Sequence, residues 1–226
     1  MTAADKSPSV DHYVLALSWE PAFCQFNMDK PECRDLENSD FAATHLAIHG
    51  LWPDLPESKR LRYCGLDQHL EQMDRRNRWC ELPELELSAK TRADLAAAMP
   101  GTRSCLDRHE WTEHGTCAGV DAEGYFATTL RLAAAVQRSA LGDLLAANTG
   151  HELPRQRLIE AFEASFGPGA GKALTLLCAK RLLMEIRITL EPSAMAGELG
   201  AEDLRPTAGG TAGSCPATIL IDPLGP

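Results

Sequence analysis

Alternating apolar and polar positions predict strands at both ends of this chain. Near the start, every second residue of Tyr13 to Trp19 is a large apolar or aromatic side chain, which is the period of a half-buried strand. A shorter alternation over Thr44 to His49 predicts a second strand, which ends at His49 beside the following loop. Strand patterns return late in the chain, over Ala173 to Ala179, Leu182 to Glu191 and Ala217 to Asp222.

Helical patterns occupy the middle of the chain. Ser88 and Asp121 are suitable N-caps for helices that run to Met99 and to Arg138. Two more helices are predicted over Cys105 to His114 and over Leu153 to Phe166. The stretch from Leu51 to Leu87 has little sustained periodicity, and we expect a long excursion held by disulfides. Helices between two groups of strands predict an α+β fold, with several helices packed on a central antiparallel sheet.

The length of 226 residues suits one domain, and no change of composition marks a boundary within it. We therefore expect a single domain over residues 1–226. About the first ten residues are expected to form a disordered start. The glycine and alanine content of Thr207 to Gly213 predicts a flexible surface loop.

Eight cysteines are dispersed from Cys24 to Cys215, without the C-x-x-C pairs of a zinc knuckle. An even number of dispersed cysteines favours disulfides, which persist in oxidising compartments. We expect a periplasmic or secreted protein whose signal peptide has been removed, since the start MTAADKSPSV has neither a basic region nor an apolar run. No stretch approaches the roughly 20 apolar residues of a membrane span, so no membrane association is expected.

The formal net charge of −10 disfavours a protein that holds nucleic acid by massed phosphate contacts, because such binding grows with the number of Lys and Arg side chains at the backbone. An enzyme that binds a few nucleotides in a cleft needs only local positive charge. A basic cluster is formed by Arg75, Arg76 and Arg78. We expect these arginines to form a solvated surface more than a track that binds RNA.

Histidine spacing argues against a zinc hydrolase. In the segment HEWTEH, His109 and His114 are five residues apart. That step turns the second histidine roughly 140° round a helix, against about 40° for the four-residue step of a zinc-binding helix. His45 and His49 have the four-residue step, but on a strand it separates them by about 13 Å. We expect no metal and no cofactor.

Cleavage of RNA without a metal requires a base for the 2′-hydroxyl, an acid for the leaving 5′-oxygen, and positive charge for the phosphorane between them. Two histidines suit the proton transfers, because an ordinary pKa of about 6.5 lets one be neutral while the other is charged. His49 and the histidines of HEWTEH are therefore candidates for this chemistry.

Two motifs, IHGLWPD over Ile48 to Asp54 and HEWTEHGTC over His109 to Cys117, resemble those of the ribonuclease T2 family of acid endoribonucleases. The segment Leu15 to Cys24 and the last two cysteines are also similar to the family, most of all to its bacterial periplasmic members. The resemblance implies transesterification of single-stranded RNA to a 2′,3′-cyclic phosphate, a lyase step, followed by hydrolysis to 3′-phosphate ends. DNA lacks the attacking hydroxyl and is not an expected substrate. We expect a monomer.

The resemblance also implies the catalytic residues. His49 and His114 are the proton-transfer pair, with His114 as the base and His49 as the acid, although this allocation is easily exchanged. His109 is implied to bind the scissile phosphate, and Glu110 to join the hydrogen-bond network around the transition state.

Two further residues are implied to bind substrate. Trp52 is expected to stack on a base, as aromatic faces do for any nucleotide. Asp54 is expected to accept a hydrogen bond from the exocyclic amine of a purine.

The resemblance further implies a framework of disulfides. The family pattern pairs Cys24 with Cys33 and Cys178 with Cys215, and for the other four we expect Cys80 with Cys117 and Cys64 with Cys105.

One position departs from the family. A lysine usually precedes the second catalytic histidine and neutralises the oxyanion, whereas this chain has Glu113 there. Loss of one such donor can lower the rate by about two to three orders of magnitude. Glu113 could point to solvent while Arg103 or Arg108 compensates, the enzyme could be slow, or the chain could be a catalytically retired member that acts as an RNA-binding protein. We favour the first interpretation because the histidines and Glu110 are all present.

Overall fold

Strands from both ends of the chain meet in one sheet. The structure, a computed structural model, describes residues 10–56, 59–207, 211 and 213–225. Its strands are β1 (His12–Ser18), β2 (Ala47–Leu55), β3 (Lys59–Arg60), β4 (Glu152–Pro154), β5 (Leu174–Ala179), β6 (Leu182–Leu190) and β7 (Thr218–Leu220). The expected disordered start falls almost wholly outside the described residues, as does most of the predicted loop over Thr207 to Gly213.

The strand order is β3-β2-β1-β6-β7-β4, with β5 also paired to β6. Strand β1 lies between β2 and β6 and is antiparallel to both, so that Tyr13 faces Pro53 on one side and Leu190 on the other. Among the described strand pairs, only β6 and β7 run parallel, through Leu182 and Leu220. The predicted α+β fold with a mainly antiparallel sheet is confirmed.

Strand β2 differs from its prediction. It begins at Ala47 and continues to Leu55, whereas we predicted Thr44 to His49. Proline is tolerated at position 53 because β2 lies beside the edge of the sheet, where only the two-residue β3 covers it. The register of β2 with β1 passes from Ile48 directly to Gly50, so His49 is the extra residue of a β-bulge inside the strand.

Helices fill the middle of the chain, as predicted. They are α1 (Glu20–Phe26), α2 (Pro31–Arg34), α3 (Gln68–Arg75), α4 (Ala89–Ala98), α5 (Leu106–Glu113), α6 (Ala122–Gln137), α7 (Ala140–Ala147) and α8 (Arg155–Phe166). Both predicted N-caps are confirmed, since the side chain of Ser88 accepts from Thr91 N and that of Asp121 from Gly124 N. Within the described part of the chain, no helix combines the length and the apolar character that crossing a bilayer demands.

The predictions missed four short helices and misplaced the start of another. Helices α1, α2, α3 and α7 have eight residues or fewer, too short for a clear period. Helix α8 begins at Arg155 rather than Leu153, because the preceding residues pair with β7.

The two faces of the sheet differ in polarity. On β6, Ile186, Ile188 and Leu190 are buried in the core that the sheet shares with helix α6. Glu185 and Arg187, on either side of Ile186, lie on the opposite face. One face of the sheet therefore packs against the hydrophobic core, while the other face bears polar side chains.

Four disulfides hold the connections, and no free cysteine occurs among the described residues. The predicted pairs Cys24–Cys33 and Cys178–Cys215 are confirmed. The other two predictions are wrong, since the pairs are Cys64–Cys117 and Cys80–Cys105. Cys105 and Cys117 lie at opposite ends of α5. Their partners depend on which part of the segment from Leu51 to Leu87 passes each end of the helix, and sequence spacing does not reveal that path.

Candidate active site

The polar face of the sheet and the end of helix α5 bring the two motifs together. The indole Nε1–H of Trp52, on β2, donates to Glu110 Oε2 of α5 at 2.8 Å. The same indole ring contacts His49 edge-on at 5.2 Å and His114 at 5.6 Å between ring centroids. Trp52 thus joins the strand that carries one histidine to the helix that carries the other.

The close approach of β2 to α5 depends on Gly50. A Cβ at this position would lie 2.0 Å from Glu110 Oε2 and 2.6 Å from Trp52 Nε1. No real side chain tolerates such distances, so the glycine of the first motif makes room for the hydrogen bond between the two motifs.

His49 lies between two acidic side chains. Its Nδ1–H donates to Glu185 Oε2 at 2.6 Å, and its Nε2 lies 3.7 Å from Glu110 Oε1. Burial alone would lower the pKa of His49, but the hydrogen bond to Glu185 and the charges of Glu110 and Glu185 outweigh it and raise that pKa. About a third of the side chain, 34%, remains exposed, so the ring is within reach of a ligand.

The environment of His114 shifts its pKa in the direction opposite to that of His49. It follows the last residue of α5, is only 5% exposed, and its Nδ1 has no hydrogen-bond partner in the part of the chain that the structure describes. Burial, followed by the positive charges of His109, Arg62 and Arg60, lowers the pKa of His114 to about 2. This environment favours the neutral ring over the imidazolium form.

Glu110 is almost completely buried, at 1% exposure. Burial raises the pKa of its carboxyl group, and the charges of His49 and His109 together with the hydrogen bond from Trp52 act against that rise. Its position between the strand and the helix suits the network role that the resemblance implies.

His109 also contacts acidic side chains. Its Nδ1–H donates to Asp74 Oδ1 at 2.8 Å, and its ring stacks on Trp79 with centroids 4.4 Å apart. Burial would lower the pKa of His109, but the hydrogen bond to Asp74 and the charges of Glu110, Asp74 and Glu113 raise it.

Glu113 does not point to solvent, so the interpretation favoured from the sequence is wrong. Its side chain is buried, with Oε2 at 3.3 Å from His109 Nε2 and 4.0 Å from His114 Nε2. The arginine that pairs with it is Arg62, whose Nη1 lies 2.7 Å from Glu113 Oε1.

Neither arginine named from the sequence takes that role. Arg103 faces Asp35 at 3.6 Å, and Arg108 donates to the carbonyl oxygens of Cys80 and Leu82. Sequence distance misled this prediction, because both arginines are close to Glu113 along the chain but extend away from it in the fold.

A cavity of about 410 Å³ lies beside Trp52. Trp52, Asp54, Arg60 and Arg187 are among its lining residues. Asp54 is buried, and its Oδ1 has no hydrogen-bond partner among the described residues. Burial raises the pKa of Asp54, against the charges of Arg60 and His12. A buried acceptor at a cavity wall is suited to a ligand that brings a donor.

Trp52 has little surface left for stacking. Its side chain is buried, and the guanidinium carbons of Arg187 and Arg60 lie 4.9 and 5.5 Å from the ring centroid. A base that stacks on the indole must therefore displace one of these guanidinium groups, or stack on that group instead.

Two groups of described residues bring three possible metal-ligand atoms within 4.8 Å of one another: Glu20 with Cys24 and Cys33, and Asp74 with His109 and Glu113. In the first group the cysteines form a disulfide. In the second, the residues already hold one another and Arg62 by hydrogen bonds and ion pairs. A divalent ion at the second group would have to compete with these contacts.

Three residues of the site were missed from the sequence: Glu185, Asp74 and Arg62. Glu185 had a signal, since it is an acid in the middle of an alternating core strand. Arg62 had a weaker one in the segment KRLR, where the buried Leu61 separates two arginines. Asp74 is a buried acid of a short polar helix and carries no sequence signal that distinguishes it.

Comparison with known proteins agrees with the fold described above. A model of the ribonuclease T2 family matches residues 10–197. The chain belongs to the ribonuclease T2 family, and it is an endoribonuclease, an enzyme that cleaves phosphodiester bonds within RNA. The family resemblance inferred from the two motifs is confirmed.

Individual relatives support the same assignment. The chain is 37% identical over 238 residues to Ribonuclease I from Escherichia coli (strain K12), a match that covers 95% of this chain and 87% of that protein. Its fold is similar to that of Actibind, described as a T2 ribonuclease, with a TM-score of 0.63 at 17% identity, covering 99% of this chain and 93% of the other. A mutant of RNase MC1 in complex with 5′-UMP gives a TM-score of 0.60 at 18% identity, covering 94% and 98% of the two chains.

Proposed function

We propose that this enzyme cleaves single-stranded RNA without a metal ion, by transesterification to a 2′,3′-cyclic phosphate and then hydrolysis to 3′-phosphate ends. The main support for this proposal is the contrast between two histidines that both contact the indole ring of Trp52. The pKa of His49 is raised and that of His114 is lowered, so one is a proton donor and the other a proton acceptor at the same pH.

His114 is the base of the first step. It takes the proton of the 2′-hydroxyl while O2′ forms a bond to phosphorus. A neutral ring is required for this role, and burial of Nδ1 without an acceptor opposes the imidazolium form. A pKa of about 2 makes a weak base, but a bound phosphate places a negative charge nearby and raises that pKa.

His49 is the acid of the first step. Its Nδ1–H is held by Glu185, which leaves the Nε2–H to protonate O5′ as the bond from phosphorus to O5′ breaks. In the second step the two histidines exchange roles, with His49 taking a proton from water and His114 returning one to O2′.

Positive charge and hydrogen bonding at the phosphorane come from groups around the pair. His109, whose side chain is 18% exposed and whose pKa is raised, is the group that we propose to bind the scissile phosphate. Glu110 fixes Trp52 and lies 3.7 Å from His49, which supports a role in orienting the acid.

Trp52 and Asp54 form the proposed base site. The cavity beside them has room for a nucleobase, and the unpartnered Asp54 Oδ1 suits an exocyclic amine of a purine. Uracil, which carries carbonyl groups and no exocyclic amine, would face the same carboxylate unfavourably, so weak cleavage beside uracil is the expected result.

The cellular setting follows from the disulfides. Four disulfides in a chain of this length support a periplasmic or secreted enzyme, since such bonds persist outside the reducing cytosol. We propose that it acts as a monomer, because one chain supplies all of the groups named above, and that DNA is not cleaved, because it lacks the 2′-hydroxyl.

Product analysis on a short synthetic RNA tests this function. The parent enzyme, in EDTA, is expected to give a 2′,3′-cyclic phosphate that later becomes a 3′-phosphate, and to leave the matching DNA intact. His49→Ala and His114→Ala should each lose at least about 100-fold in rate. His151→Ala, which changes an exposed histidine, is the matched control and should keep the parent rate.

Other outcomes separate the alternatives. Activity that is lost in EDTA and restored by zinc would favour a metal-dependent hydrolase. Activity of either histidine variant equal to the parent would remove the proposed mechanism. RNA binding by the parent without any product would favour the retired, RNA-binding member considered from the sequence.

A further inference from the structure

Arg62 and Glu113 form a buried ion pair at the edge of the catalytic site. Glu113 Oε1 contacts Arg62 at 2.7 Å, while its Oε2 lies 3.3 Å from His109 Nε2. Its distance to His114 Nε2 is 4.0 Å. A single carboxylate therefore connects one guanidinium group to two of the site's histidines.

The backbone holds Arg62 in this place. The next residue, Tyr63, donates its N–H to the carbonyl oxygen of Glu113 at 2.9 Å. One residue further, Cys64 is disulfide-bonded to Cys117, just beyond the end of α5. These two links fasten the segment that carries Arg62 to the end of the helix that carries Glu113.

An unpaired carboxylate here would oppose the reaction. Its charge would repel the negative phosphorane. Burial of an unpaired charge also costs stability, by several kcal/mol per ion. Glu113 is therefore compatible with catalysis only while a cation accompanies it.

Arg62 can do more than neutralise Glu113. A guanidinium group has five N–H donors in a planar fork, and the ion pair engages its Nη1 end. Its side chain is 37% exposed, so the remaining donors can reach a phosphate in the cleft. Arginine binds phosphate oxygens in pairs, a geometry that one ammonium group does not match.

The other cations near the site have different positions. Arg187 donates its Nε–H to Glu185 at 2.6 Å, and Arg60 lies over the ring of Trp52. Both belong to the cavity beside the indole. Of the arginines described, Arg62 is the one that ion-pairs with the residue immediately before His114.

We propose that Arg62 supplies positive charge to the phosphate that is cleaved, and that Glu113 is the positioning residue that holds its guanidinium group there. The cation of the site thus comes from the segment after β3 rather than from α5. This inference rests on the proposed function, because it assigns a role within the same reaction.

Steady-state kinetics of four variants test the proposal: Arg62→Ala, Arg62→Ala with Glu113→Gln, Arg62→Ala with Glu113→Lys, and the control Arg103→Ala. Arg62→Ala should lower kcat by about 100-fold to 1000-fold. The Gln double variant should stay slow, because it removes the unpaired acid without restoring a cation. The Lys double variant should regain roughly tenfold or more, because it returns a cation near His114. Arg103→Ala breaks an exposed ion pair away from the site and should match the parent.

The pH profile adds a readout that a merely structural role would not change. The charged groups facing His114 are Arg60, Arg62, His49, His109 and Glu113. Loss of Arg62 removes a positive charge from this set, so the pKa of His114 rises. In the complex with substrate, where the bound phosphate already raises this pKa, the acidic limb of kcat should therefore move to higher pH in Arg62→Ala, and move less in the Gln double variant.

Two results would overturn the proposal. One is a parent-like rate and pH profile in Arg62→Ala. The other is a parent-like rate in the Gln double variant, which would mean that Arg62 only neutralises Glu113. Thermal melting will show whether Arg62→Ala is folded. If it is not, the Gln double variant still tests the proposal, because it contains no unpaired buried charge. Failure of the proposed function itself is distinct, because the parent would then give no cyclic phosphate.

Discussion

His49 and His114 have the same side chain and an opposite protonation preference, and the difference comes from their neighbours. His49 donates to an ionised acid, Glu185, whose own pKa is lowered by that hydrogen bond in spite of burial. Among the described residues, His114 Nδ1 has no hydrogen-bond partner, and burial together with the positive charges of His109, Arg62 and Arg60 lowers the pKa of the ring. At the scale of the residue, the assignment of acid and base depends on Glu185 as much as on the histidines.

Glu185→Gln tests this dependence through the pH profile. The pKa of His49 is raised by Glu185, so removing the charge should lower that pKa. The acid must be protonated to act, and the alkaline limb of kcat/KM should therefore move to lower pH. The measurement is the rate on a dinucleotide across the pH range.

A matched control for this variant is Glu152→Gln, which removes an exposed acid paired with Arg181. Its profile should coincide with that of the parent. An unchanged alkaline limb in Glu185→Gln would mean that another group sets the protonation of His49.

At this scale the sequence predicted the reacting groups better than their partners. His49, His109, Glu110 and His114 lie in two contiguous motifs, and their types suit the chemistry. Their partners come from separate parts of the chain, as Glu185 shows by its 136-residue separation from His49. A hydrogen bond over such a distance exists only once the chain has folded.

At the scale of elements, the site depends on a bulge and a fastened helix. The bulge in β2 gives His49 an unpaired place in the strand, so its side chain can face Glu185 while Ile48 stays in the core. Helix α5 is held at both ends, by Cys80–Cys105 at its start and Cys64–Cys117 beyond its end. Short helices have little stability of their own, so these links keep the catalytic groups in place.

Removal of the Cys64–Cys117 disulfide should lower activity more than removal of Cys178–Cys215. The two close loops of similar length, with sequence separations of 53 and 37. Chain entropy therefore predicts a similar loss of stability for each double Ala variant, about 4 kcal/mol. Only the first disulfide fastens the segment of Arg62 to α5, so kcat should fall further in that variant.

The comparison requires both variants to be folded, and it is made well below the lower of the two melting temperatures. Equal activity of the two would contradict a positioning role for Cys64–Cys117. The sequence shows which cysteines are available for these disulfides, but it does not show the path of the chain between Leu51 and Leu87. Two of the four pairings were predicted wrongly for that reason.

At the scale of the whole molecule, an acidic protein carries a small basic site. The formal net charge is −10, while arginines line the cavity beside Trp52. The cluster predicted to be a solvated face is neutralised locally, since Arg75 pairs with Glu71 and Arg78 with Glu81. Binding should therefore involve few phosphates, and the surrounding negative charge should help a polyanionic product to leave.

The salt dependence of RNA binding measures the number of phosphates engaged. For two or three contacts, the logarithm of the binding constant should fall with the logarithm of salt at a slope of about −1.4 to −2.1. The measurement uses the inactive His114→Ala variant and a short single-stranded RNA. Substitution of Arg75 and Arg78 by Ala should leave the slope unchanged, whereas a slope steeper than about −4 would indicate a broad basic track.

The sequence by itself determined the class of fold and the two motifs that contain the histidines. Its eight dispersed cysteines also led us to expect disulfides and an oxidising compartment. Periodicity and capping are local, and motif residues lie next to one another, so neither requires knowledge of the folded chain. Only the tertiary structure decided that Glu113 is buried against Arg62, that Glu185 holds His49, and which cysteines pair. Charge interactions depend on distance and burial in space, and the order of residues along a chain specifies neither.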